Sequence, residues 1–157
     1  MPRYTPYQRY CNAVTKAFST QYPLFEVRTI YRDPQDPHRM MLCSPFVACF
    51  VPEDHPIIRD HQDKILPGRP SVMMYQMEGC LDNALIIGTE DYHKTKNLIT
   101  LLESMETGEQ FKVNSRALKI FEPLDALYGV RHKSGIVTIW DSNPGKNVIH
   151  GCIALIR

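Results

Sequence analysis

Residues 146–157, KNVIHGCIALIR, are almost wholly apolar and read as a strand with little exposed face. A strand of that kind needs the rest of the chain to cover it. GIVTIWD (135–141) precedes it as a second strand, across a DSNPG turn.

The preceding segments supply the cover. In TPYQRYCNAVTKAFS (5–19), Tyr7, Tyr10, Cys11, Val14, Ala17 and Phe18 fall on one helical face. Arg9 and Lys16 fall together on the opposite face, and no acidic residue occurs before Glu26. LFEVRTIY (24–31) reads as a strand and RDPQDPH (32–38) as a proline-punctuated turn. RMMLCSPFVACFV (39–51) reads as one long strand, or two split at Ser44–Pro45. SVMMYQM (71–77) and NALIIGT (83–89) are further strand candidates. HKTKNLITLLESM (93–105) carries Leu98, Ile99, Leu101, Leu102 and Met105 at helical spacing, with Gly108 as a stop. QFKV (110–113) is a short strand, after which Asn114 or Ser115 caps a helix. Its apolar arc of Ala117, Leu118, Ile120, Phe121, Leu124, Leu127 and Tyr128 keeps phase across Pro123. That predicts one kinked helix over 115–128, with Pro123 on the solvent side. The expected fold is α+β: one domain over residues 1–157, mainly antiparallel sheet with two or three packed helices.

Composition narrows the setting. A 157-residue chain with 43% hydrophobic residues can bury a core without metals or disulfides. Its net charge of +1 argues for neither nucleic acid nor membrane, so a basic surface would have to come from local segregation. No apolar run approaches the ~20 residues of a membrane span. Cys11, Cys43, Cys49, Cys80 and Cys152 form no CxxC pair, and all but Cys80 lie in apolar runs. An odd count without a signal peptide points to a reducing, cytoplasmic setting. Trp140 reads as a sheet residue packed against a helix, and the methionines of 71–77 as core filling.

Three constellations bear on chemistry. PEDHPIIRDHQDK (52–64) gathers His55, His61, Asp54, Asp60 and Asp63, but at no zinc-site spacing. The preferred reading makes Asp54 or His55 the cap of a short helix starting at Pro56, with no metal or cofactor. His93-Lys94-Thr95 and His132-Lys133-Ser134 are paired His-x-Ser/Thr tripeptides, which resemble those of the 2H phosphoesterases. There two histidines act as acid and base on a phosphate and the hydroxyls hold its oxygens. That resemblance implies a small phosphodiesterase using His93, Thr95, His132 and Ser134, although these tripeptides lack the apolar flanks of that family. Signatures for serine hydrolases, P-loops and dinucleotide binding are absent.

QFKVNSRALKIFEPLDAL, GIVTIWDSNPGKNVIHG and CIALIR together resemble the closing part of a domain of the bacterial beta-type DNA polymerase sliding clamp. More weakly, YQRYCNAVTKAFS resembles its first helix. Departures are Pro123 within the second helix, a helix at 93–105 with no counterpart, and Leu155-Ile156 in place of Pro-Met. The resemblance implies two helices backed by antiparallel sheet and facing duplex DNA. Arg9 and Lys16 on the first helix, and Arg116 and Lys119 on the second, would touch phosphate. Glu122 shares their face. A ring of that family holds several such domains, so the resemblance also implies a homo-oligomer, paired through the closing strands as sheet edges. The leading expectation is a non-enzymatic DNA- or protein-binding scaffold. An interaction or inhibitor protein with an unseen partner is the plainer alternative.

Overall fold

The computed structural model describes residues 3–91, 98–143 and 146–156. Their organising element is a single antiparallel sheet of nine strands. The strands are β1 (Thr29–Arg32), β2 (Arg39–Cys43), β3 (Val47–Pro52), β4 (Asp82–Asp91), β5 (Leu98–Ser104), β6 (Gln110–Asn114), β7 (Ala126–Val130), β8 (Ile136–Asp141) and β9 (Ile149–Ala154). Their spatial order is β1-β2-β3-β9-β8-β7-β4-β5-β6. Four α-helices accompany them: α1 (Pro6–Phe18), α2 (Pro56–Arg59), α3 (Ser71–Gly79) and α4 (Ser115–Phe121). The α+β architecture expected from sequence is therefore the one found.

The apolar closing segment is explained by its position. β9 lies between β3 and β8, with helices on both sides of the sheet. On one face Met40, Leu42, Val47, Cys49, Val51, Val137, Ile139 and Ile153 meet α1, α2 and α4 in the larger core. On the other face Met41, Cys43, Ala48, Phe50, Trp140 and Cys152 meet α3 through Met77, Met73 and Met74. Residues of β2, β3, β8 and β9 thus enter both cores, and these strands keep no polar face to show a period of two.

The order contains a repeat that the sequence does not display. Helix α1 is followed by the meander β1-β2-β3, and helix α4 by the meander β7-β8-β9. The two units meet where β3 pairs antiparallel with β9, Ala48 opposite Cys152. The remaining strands β4-β5-β6 extend the sheet beyond β7, and the sheet curls until β6 meets the chain just past β9. There the Ile156 N–H donates to the Lys112 carbonyl at 2.8 Å. At the opposite edge the Leu66 N–H donates to the Ile30 carbonyl, which covers β1.

Several expected elements are corrected. The helix expected over 93–105 is strand β5 from Leu98 to Ser104, while 93–97 lie outside the described residues. Its apolar spacing fits either structure, and pairing with both β4 and β6 decides it, since a central strand satisfies every backbone group. Gly108, read as a helix stop, lies beyond that strand at φ +75°. SVMMYQM is helix, not strand. It is apolar nearly all round, so periodicity could not identify it, and methionine is a good helix former. The strand expected over 24–31 begins only at Thr29, after a 3₁₀ turn at Pro23–Phe25.

The single kinked helix over 115–128 does not form either. Helix α4 ends at Phe121, because Pro123 has no N–H to donate to the Lys119 carbonyl, and Ala126–Val130 is strand β7. The in-phase residues beyond Pro123 divide between the faces: Tyr128 packs with the larger core and Leu127 with the smaller. Pro123 itself is half-buried rather than on the solvent side. Finally, the closing strands are not edges; β1 and β6 are.

Candidate functional site

Helix α1 begins with a capping box. The Thr5 hydroxyl accepts the Gln8 N–H at 3.1 Å, and the Gln8 amide oxygen accepts the Thr5 N–H at 2.8 Å. Tyr10 locks the helix to the sheet. Below Cys49 and Gly151 the pairing of β3 with β9 ends, and the buried Tyr10 hydroxyl lies 2.8 Å from the Phe50 carbonyl and 3.2 Å from that of His150. Of the two cap candidates, Asn114 and Ser115, it is Asn114 that caps helix α4: its side-chain oxygen accepts from Arg116 and Ala117 N–H at 2.9 and 3.2 Å. The rings of Tyr10 and Phe121 stack at 5.7 Å and hold the two helices side by side. Beneath α4, a Cβ on Gly151 would lie 2.8 Å from the Phe121 ring and 2.1 Å from the Ala48 carbonyl, so only glycine lets the helix sit this low.

The outer surfaces of the two helices bound a groove of about 740 Å³. Arg9, Lys16, Arg116 and Lys119 all line it, and all four are exposed. None is ion-paired with a described acidic residue. Glu122 is the single carboxylate in the lining. The Arg116 guanidinium lies 4.7 Å above the Tyr22 ring, which orients it across the groove. Sequence reasoning thus placed the cations on two helices, and the fold brings the helices together. The sequence does not place the floor: Tyr22 and Phe25 enter at the 3₁₀ turn, where the sequence predicts a strand from residue 24, and Pro123 enters at the α4–β7 connection, where it predicts continuous helix. The adjacent aromatics of Tyr22-Pro23-Leu24-Phe25 were the available signal.

The other candidates have different surroundings. His93 and Thr95 lie outside the described residues. His132 is exposed, with Nδ1 2.8 Å from Glu109, and the Ser134 hydroxyl accepts from Arg131 N–H and donates to the Ile136 carbonyl. Ser134 thus closes the turn between β7 and β8, and His132 ties that turn to the β5–β6 connection. His55 caps α2: its Nδ1 accepts the Ile57 N–H at 3.2 Å, and Nε2 lies 3.0 Å from the Cys11 carbonyl. No group of three or more His, Cys, Asp or Glu side chains is gathered for a metal among the described residues. Burial pushes the Cys43 thiol up to about 11 and that of Cys152 to about 12, far from the thiolate a nucleophile needs.

No helix among the described residues is long and apolar enough to cross a membrane. Comparison with protein families, curated proteins and solved structures finds no match to this chain.

Proposed function

We propose that the protein is a non-enzymatic binding scaffold with a sliding-clamp-like unit, whose α1–α4 face engages duplex DNA. The observation that carries the reading is the convergence of Arg9, Lys16, Arg116 and Lys119 on one groove against a single carboxylate. Two capped helices lying side by side on antiparallel sheet also agree with what the clamp resemblance implies. Arg and Lys contacts to phosphate supply affinity without reading base sequence, so binding should be indifferent to sequence and sensitive to salt.

Fluorescence anisotropy on a labelled random-sequence duplex tests this. Affinity should fall steeply with salt, and Lys119→Ala or Arg9→Ala should each lower the slope of log K against log salt by about 1. No binding at about 50 mM salt, or a slope unmoved by these substitutions, removes the DNA reading. Assembly of several copies, which the resemblance also implies, has to use surfaces other than the interior strands β8 and β9. Sedimentation velocity over a range of concentrations reports it directly.

A further inference from the structure

The groove between α1 and α4 is not what phosphate contacts alone would require. Its cations stand at the rim, and its floor is apolar, formed by Ala13, Ala17, Tyr22, Phe25, Ile120 and Pro123. A phosphate backbone has nothing to place against such a floor. An occupant with carboxylates at its flanks and aliphatic side chains between them satisfies both parts. All lining residues come from helices or from turns beside them, and neither edge strand of the sheet, β1 or β6, contributes to the groove. An extended peptide would therefore find no strand to pair with here, whereas a helix satisfies its own backbone and lays one face into the groove.

We propose that the α1–α4 groove receives an acidic amphipathic helix from a protein partner. Apolar side chains one turn apart rest on Tyr22 and Pro123, and flanking glutamates meet Arg9, Lys16, Arg116 and Lys119. This rests on the reading of the α1–α4 face as the interaction surface, and it makes DNA and the partner helix mutually exclusive.

The probe is a labelled synthetic helix of about 16 residues, with leucines at i, i+3, i+4 and i+7 and glutamates on both flanks. A scrambled peptide of the same composition is the control. The amphipathic peptide should bind at least ~10-fold more tightly than the scrambled one, and unlabelled duplex DNA should displace it. Ala13→Gln keeps the charge and leaves a good helix former in place but makes the floor polar. It should weaken the peptide at least ~5-fold and leave DNA affinity unchanged. Tyr22→Ser, which also removes the ring beneath Arg116, is a second test of peptide affinity alone, with circular dichroism confirming the fold of each variant. Equal binding of the two peptides, or a peptide affinity unmoved by both floor variants, overturns the proposal even where DNA still binds. Peptide binding without DNA binding leaves this proposal standing and removes the DNA reading alone.

Discussion

Individual side chains hold the two helices in place. Tyr10→Phe keeps the ring stacked on Phe121 but removes the hydroxyl from the two carbonyls that flank it, so it should cost about 1 kcal/mol in urea denaturation. Asn114→Ala leaves two N–H groups at the start of α4 without their acceptor and should cost a similar ~1 kcal/mol. Two histidines set a pH dependence. Burial holds His55 and His150 below the ordinary 6.5, outweighing the nearby carbonyl of Cys11 and carboxylate of Asp141 respectively. The unfolded chain, not the folded one, takes up these protons as pH falls. Stability from both histidines is therefore present above about 6.5 and lost below it. Glu53 and Glu109, held low mainly by His38 and His132, act in a separate window below about 4.5. Urea midpoints should be flat between about pH 7 and 8 and already decline between pH 6.5 and 5; a midpoint unchanged from 7 to 5 would contradict this.

Among the elements, α4 is the one whose placement is most tightly specified. It is short, so its position depends on packing rather than on propensity. Phe121 must lie on Gly151, and the close neighbour on the other side is the Ala48 backbone, which cannot turn aside. Gly151→Ala should therefore destabilise the fold by about 3 kcal/mol or more, and should impair the groove in any binding assay. Pro123 limits α4 from its other end. It stops the helix at Phe121, frees Leu124–Val130 to cross into the sheet, and becomes part of the groove floor.

Across the molecule, protection should be uneven. Strands β3, β8 and β9 are covered on both faces, whereas Leu85, Ile86, Ile87 and Leu98 leave the β4–β5 hairpin partly open. Hydrogen exchange followed by mass spectrometry should find the slowest amides in β3, β8 and β9, with β4 and β5 opening earlier. Uniform exchange across the sheet would mean that the two regions open together. The repeated helix-and-meander arrangement also accounts for the groove. Each unit contributes one helix, and joining β3 to β9 sets the two helices next to each other.

The sequence by itself determined α1, a cap at Asn114 or Ser115 for α4, a cap at Asp54 or His55 for α2, strand on either side of Ser44–Pro45, and the α+β class. Each follows from local signals: a polar cap before an apolar face, a proline, or a run of β-branched residues. It also placed Arg9 and Lys16 on one helix and Arg116 and Lys119 on another. Tertiary structure decided the rest. Leu98–Ser104 is a strand because β4 and β6 flank it, and Ser71–Gly79 is a helix because an open sheet face lay above Phe50 and Trp140 to be covered. Spacing alone cannot distinguish these cases when both faces of a segment are apolar. Nor can spacing show that two cationic helix faces share one groove, because that depends on the pairing of β3 with β9, strands a hundred residues apart in the chain.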